Sequence, residues 1–215
     1  TCGVPLPGVE IRLGDDGEVL VRSAGVCRGY YRDPEATAEL FTDDHFIRTG
    51  DLGELTPEGE LRLIGRKKEI IITAGGKNMS PALIEHELTR SPFVDQAVVI
   101  GNDRRYLVAV LEPAVEAIAE HWAAEGQGAG GGAAPGDPAP LGPYEQVVGD
   151  PRVVALLAEA VETANEGLSQ PEKIKRWAVL PRRFQPGDPE LTPTMKVRRN
   201  VFEERHAALI EQLYQ

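Results

Sequence analysis

Cysteine is nearly missing from this sequence: Cys2 and Cys27 are the only two. Their separation fits no metal-binding or redox spacing, and two isolated thiols point to a reducing compartment, the cytoplasm, rather than a disulfide-stapled secreted fold. Long apolar runs are also missing. None approaches the roughly eighteen residues needed to span a bilayer, so no transmembrane segment is expected. The first residues lack the basic-then-apolar pattern of a secretory signal. Positive charge is in deficit, with 23 Lys and Arg against 34 Asp and Glu and a net charge of -11. Such a surface repels phosphate backbones, which argues against general nucleic-acid binding. His45, His86, His121 and His206 show no ligand spacing, and no metal site is expected.

What is there is the composition of a soluble globular chain, 41% hydrophobic and 27% charged, long enough at 215 residues for one or two domains. The basic residues are bunched, in Arg66-Lys67-Lys68 and again in Lys196-Val197-Arg198-Arg199. Alone, each cluster reads as a solvated charged face. The opening Thr1-Cys2-Gly3-Val4 has no initiator methionine and enters mid-pattern, so the chain is expected to be a piece of a longer one.

Short strands and turns dominate the first part. Val9–Leu13 and Glu18–Arg22 flank the turn Asp15-Asp16-Gly17 as a hairpin with one polar face. Asp33-Pro34 opens a short helix, with aspartate as cap and proline in the first turn. Leu52–Leu55 and Glu60–Ile64 flank Thr56-Pro57-Glu58-Gly59. The β-branched run Glu69–Thr73 reads as a strand ending at Ala74-Gly75-Gly76-Lys77. Ser80-Pro81 then caps a helix. Gln96–Ile100, Tyr106–Glu112 and Trp177–Leu180 read as three strands of one antiparallel sheet. Helices are expected over Val115–Glu125, along the stripe Val153, Leu157, Ala160, Val161, Ala164, Leu168, and at the chain end with Phe202, Leu209 and Leu213 on one side. Residues 126–143, almost all Gly, Ala and Pro, read as a flexible insert. The fold class is α+β. A change of character near Gly65–Lys68 sets the expected domains at 1–66, β-rich, and 67–215, a three-stranded antiparallel sheet with packed helices.

Several segments can carry chemistry. Arg48-Thr49-Gly50-Asp51 puts a carboxylate in a glycine turn, where it can accept hydrogen bonds from a vicinal diol. An ordinary turn aspartate explains the tetrapeptide equally well. Arg66 could fork onto a hydroxyl or phosphate. Ala74-Gly75-Gly76-Lys77 lacks the spacing of a phosphate-binding P-loop, although its glycines permit close approach to a narrow ligand. Lys196, after Thr192-Pro193-Thr194-Met195, could stabilise charge developing on a phosphoryl or carboxylate oxygen.

Taken together and in this order, the run Phe46–Leu88 and the closing Pro193-Thr194-Met195-Lys196 resemble the C-terminal motifs of the adenylate-forming (AMP-binding) superfamily. The opening Gly3–Arg22, Gly25-Val26-Cys27-Arg28-Gly29-Tyr30-Tyr31 and Asp33-Pro34-Glu35-Ala36-Thr37 fit the stretch before its ribose-binding aspartate. Arg66–Pro81 and Glu190–Arg199 are similar to the bacterial long-chain fatty acid–CoA ligases.

The resemblance implies an acyl-CoA synthetase using ATP, Mg2+ and coenzyme A. A fatty acid is activated to an acyl-adenylate and then passed to the CoA thiol. Asp51 and Arg66 would hold the nucleotide, and Lys68 would sit at the hinge of the small domain. Many relatives carry aspartate there; lysine also occurs. Lys196 would act in adenylation, and Ala74, Gly75 and Gly76 would line the pantetheine path. The phosphate loop, acidic metal motif and acyl pocket of the large domain do not occur in this sequence, so the chain alone is expected to be inactive. Peripheral membrane association of the parent enzyme remains compatible. Two alternatives stay open: another acid–CoA ligase, or a stand-alone interaction module using the Gly-Gly-Lys loop or the insert.

Overall fold

Glycine-bearing turns set the first layout. Gly17, at φ +81°, closes the turn Gly14–Gly17 by donating to the Gly14 carbonyl at 2.9 Å. Asp16 stiffens the turn by accepting from the Glu18 amide at 3.1 Å. β1 (Val9–Leu13) and β2 (Glu18–Ser23) therefore pair as an antiparallel hairpin. Gly59, at φ +80°, does the same between β3 (Ile47–Leu55) and β4 (Leu61–Arg66). These strands form one four-stranded antiparallel sheet in the order β1-β2-β3-β4. Helix α1 (Pro34–Leu40) is capped as its sequence foretold, with Asp33 Oδ1 accepting from the Ala36 amide at 2.9 Å. The buried apolar set is small, comprising Val19, Leu20, Phe46 and Leu61.

The computed structural model describes residues 1–124 and 142–215. It divides into two compact units, Thr1–Ile70 and Ile71–Gln215. The insert expected at 126–143 lies, up to residue 141, outside the described residues.

In the second unit the expected strand over Glu69–Thr73 shrinks to β5 (Ile71–Ile72), paired with β6 (Asn78–Met79). Lys67–Glu69 form a turn instead, and Gly76 reverses the chain at φ +73°. α2 (Pro81–Thr89) starts at Ser80 with proline in its first turn. The Ser80 hydroxyl makes no capping bond and is buried without a partner among the described residues.

The main sheet has the order β7 (Val94–Ile100), β8 (Leu107–Pro113), β9 (Ile174–Val179). β8 is central, and all its residues are buried. Leu107, Ala109 and Leu111 face one core with α2, α3 (Val115–Ala124) and α5 (Pro151–Gly167). Val108 and Val110 face the other, with Leu180, Phe184, Phe202, Ile210 and Leu213. Period-two alternation thus feeds two cores, and a strand covered on both faces reads as a continuous apolar run.

The α+β class holds. The expectation of a wholly antiparallel sheet does not: β7 and β8 are antiparallel, but β9 runs parallel to β8. A parallel neighbour needs a crossover, and α3, α4 (Tyr144–Val147) and α5 lie on the connection. Asn165 on α5 pins the start of β9, donating to the Ile174 carbonyl at 3.0 Å and accepting its amide at 2.8 Å. The single helix expected at the chain end is two, α6 (Arg199–Arg205) and α7 (Ala207–Tyr214), broken at His206.

Candidate functional site

In the first unit Asp51 and Arg66 come together. They are opposed residues in the β3–β4 register. Arg66 Nε stands 2.9 Å from Asp51 Oδ1, and Arg66 Nη1 donates to the Thr49 carbonyl at 3.2 Å. Neither Asp51 Oδ2 nor Arg66 Nη2 makes a hydrogen bond among the described residues. An acceptor and a donor are thus left side by side, the pairing that two neighbouring hydroxyls can satisfy.

The segment Thr49-Gly50-Asp51, expected as a turn, lies instead within strand β3, and it is held in place by the strand beside it. Gly50 takes φ +70°, a left-handed conformation that glycine adopts at little cost. Its amide donates to Glu18 Oε1 at 3.0 Å. Thr49 donates to the Val19 carbonyl at 2.7 Å and accepts the Asp51 amide at 3.1 Å. Glu18 is only 3% exposed. It also takes the Lys67 ammonium at 3.1 Å, with Arg48 at 3.5 Å. Lys67 bridges on to Asp16 at 2.5 Å. The Asp16 bond, then the Glu18 bond, raise the Lys67 pKa above its ordinary value, and Lys67 in turn lowers that of Asp16. Register shifts between Glu18 and Leu20 and between Leu52 and Gly53 flank this segment of β3. At the second, a Cβ on Gly53 would lie 2.8 Å from Val19 Cγ2 and 3.0 Å from the Arg62 carbonyl, so the backbones meet too closely for a side chain.

Sequence reasoning missed Glu18 and Lys67. The available signal was a carboxylate beginning a strand whose next residues are Val19 and Leu20, followed far along by three adjacent cations. Lys68 lies in the turn after β4, and its ammonium has no ion pair among the described residues.

In the second unit Ala74, Gly75 and Gly76 form the β5–β6 turn. Thr73 accepts the Gly76 amide at 2.8 Å, and the Ala74 amide donates to the Arg104 carbonyl at 2.9 Å. The turn is therefore docked on the Gly101–Arg105 connection between β7 and β8. A Cβ on Gly75 would meet only Thr73 Oγ1, at 3.9 Å, and one on Gly76 would meet nothing. Gly76 is required by its positive φ; nothing within the unit requires glycine at 75.

Lys196 lies on a tight turn. The Thr192 amide donates to the Lys196 carbonyl at 2.8 Å, and Thr192 Oγ1 accepts the Lys196 amide at 3.0 Å. Met195 sits at φ +62°. Leu191 and Val197 bridge across the neck. The Lys196 side chain is exposed, and its ammonium has no partner among the described residues. Asp51, Arg66 and Lys68 thus belong to one unit, and Ala74, Gly75, Gly76 and Lys196 to the other. Among the described residues no group of three or more His, Cys, Asp or Glu is placed to hold a metal ion, and no helix is long and apolar enough to cross a membrane.

Residues 68–125 match the family described as AMP-binding enzyme C-terminal domain. Over 214 residues and its whole length, the chain is 43% identical to the long-chain-fatty-acid–CoA ligase FadD15 of Mycobacterium tuberculosis, covering 34% of that protein. It is 30% identical to the long-chain-fatty-acid–CoA ligase heimdall of Drosophila melanogaster, with 99% of this chain and 35% of that one aligned. The chain therefore spans about a third of the length of these curated relatives. Among solved structures, the adenylation domain of a carboxylate reductase from Mycobacterium chelonae superposes on 99% of the chain with a TM-score of 0.76 at 26% identity, using 32% of that domain.

Proposed function

We propose that this chain, which carries an AMP-binding enzyme C-terminal domain, is the C-terminal portion of an ATP-dependent long-chain fatty acid–CoA ligase. Residues 1–66 are read as the end of the large nucleotide-binding domain, and residues 67–215 as the small mobile one. In the first half-reaction the fatty carboxylate attacks the α-phosphorus of ATP, forming an acyl-adenylate and expelling pyrophosphate. In the second, the thiol of coenzyme A loses its proton and attacks the acyl carbonyl, and AMP departs.

The observation that carries this reading is the Asp51–Arg66 fork, in which one carboxylate oxygen and one guanidinium arm make no hydrogen bond among the described residues. The ribose of ATP offers two neighbouring hydroxyls that fit it. Lys196, exposed on a short turn, is assigned to the negative charge that develops between carboxylate and α-phosphate. Lys68, in the turn after β4, is assigned to the hinge. The Ala74-Gly75-Gly76 turn is assigned to the pantetheine arm, which supports a reason for glycine at 75 that lies outside the unit's own packing. Mg2+ is expected to arrive on the triphosphate. The cytoplasm, with peripheral association at membranes where fatty acids partition, is the proposed location.

The fork can be tested with 2′-deoxy-ATP. A hydrogen bond to a charged acceptor contributes about 1.5–3 kcal/mol, so the whole ligase should discriminate against the deoxynucleotide by about tenfold or more in kcat/KM. Asp51→Ala should reduce that ratio to near one. A ratio unchanged by Asp51→Ala would overturn the assignment.

A further inference from the structure

The turn that carries Lys196 is nearly bare at its tip, yet it is held at one end by a buried carboxylate and at the other by a partly buried ion pair. At its start stands Glu190, 1% exposed. Its Oε1 receives Arg205 Nε at 2.7 Å and Arg182 Nη2 at 3.3 Å, with His206 Nε2 at 3.7 Å. Burial raises the Glu190 pKa, but its own backbone amide, Arg205 and Arg182 outweigh this and hold it below the ordinary value. Arg182 is itself fixed, since Asp188 takes its Nη1 at 2.7 Å and also accepts the Gln185 amide at 2.8 Å. The Glu190 carbonyl closes the neck by accepting the Arg198 amide at 2.7 Å.

At the other end is Arg199, the first residue of α6. One arm donates to Glu85 Oε1 of α2 at 2.7 Å, and the other to the Val99 carbonyl of β7. Glu85 Oε1 also accepts the Val99 amide at 2.8 Å. Pro193 to Lys196, between these clamps, are exposed and tied only within their own turn.

Burying charges costs free energy that their partners do no more than restore, and apolar side chains of similar size often hold a fold as well. What an ion pair adds over an apolar contact is direction. We propose that Glu190 is a positioning residue for Lys196: through Arg205, Arg182 and the Arg198 amide it fixes the neck of the turn and so the aim of the lysine, with the Arg199–Glu85 pair fixing the far side. This rests on the role proposed for Lys196. Glu190 touches no reacting atom and acts through the geometry of the turn.

The test uses the whole ligase with the two half-reactions measured separately. Glu190→Gln keeps the volume and removes the charge. Misplacement of a reacting group by about 1 Å can cost on the order of a hundredfold. Glu190→Gln is therefore expected to slow adenylation, read as pyrophosphate release, by roughly tenfold or more in kcat. KM for ATP and palmitate should stay within about twofold, as should thioester formation from preformed palmitoyl-adenylate. Combined with Lys196→Ala, it should slow adenylation no further than Lys196→Ala alone, the non-additivity of residues acting as a unit.

Equal loss in both half-reactions, or fully multiplicative effects in the double variant, would overturn the proposal. Adenylation unaffected by Glu190→Gln but slowed by Lys196→Ala would overturn it alone. Adenylation unaffected by Lys196→Ala would remove the reading it rests on as well. Should Glu190→Gln not fold, Glu85→Gln carries the same test at the other clamp, with loss confined to adenylation expected and equal loss in both steps against it.

Discussion

Glu112 gives the second unit a dependence on pH that can be worked out from its surroundings. It lies on β8 with 2% of its surface exposed. One oxygen accepts the Phe184 amide at 3.2 Å, and the other has no partner among the described residues. Arg183 approaches at 3.7 Å but is shared with Glu116, to which it makes a paired contact at 2.6 and 3.0 Å. Burial pushes the Glu112 pKa up from 4.5 to about 7; the Phe184 amide pulls it down and the Asp95 charge adds to the rise. The folded state thus holds this proton more tightly than the unfolded chain. The stabilisation is fully present below about pH 4.5 and is lost as pH rises through about 7. The interval corresponds to roughly 3 kcal/mol.

The assay is urea unfolding of the chain followed by tryptophan fluorescence between pH 5 and 8. Both tryptophans report on this unit, Trp122 from within its core and Trp177 packed against it. Glu112→Gln cannot titrate, so its stability should fall less with pH than the wild type, the difference between the two growing toward neutral pH and levelling above it. A difference between wild type and Glu112→Gln that stays flat from pH 5 to 8 would refute the reasoning, whatever other groups titrate alongside.

Two further outcomes separate fold from chemistry. Glu18→Ala leaves the Gly50 amide and the Lys67 ammonium without their buried acceptor; the orphaned amide costs about 1–3 kcal/mol, while Lys67 keeps its pair with Asp16. Hydrogen exchange should show protection lost first at Gly50, and protection there equal to wild type would contradict the role given to Glu18. Gly75→Ala meets only Thr73 Oγ1, at 3.9 Å, and should change stability by no more than about 0.5 kcal/mol; in the proposed whole ligase it should slow thioester formation about tenfold or more while adenylation is kept, the split that the proposed pantetheine role requires. Unchanged thioester formation would remove the pantetheine assignment.

Local chemistry was readable in advance. Asp33 caps α1, glycines with positive φ close the hairpins, and the stripe from Val153 to Ala164 is buried on α5. These depend on neighbours within a few residues. The direction of β9 was not readable, because strand periodicity is the same in parallel and antiparallel pairing and the crossover through α5 decides between them. The break at His206 was hidden by an apolar spacing that continues from Phe202 to Leu213 across it. Among the candidate residues, Asp51 and Arg66 in the first unit and Lys196 in the second stood out by motif. The residues that brace them did not, since Glu18 meets Lys67 49 residues away and Glu85 meets Arg199 114 residues away. A charged residue in such a pair looks like surface until its partner is known.

The most direct measurement is the effect of Lys196→Ala on the two half-reactions of the proposed whole ligase. Loss of a charge aimed at the transition state costs on the order of a hundredfold to a thousandfold. Adenylation should fall by that factor, while thioester formation from supplied palmitoyl-adenylate changes by no more than about threefold. An equal fall in both steps, or adenylation at the wild-type rate, would contradict the account.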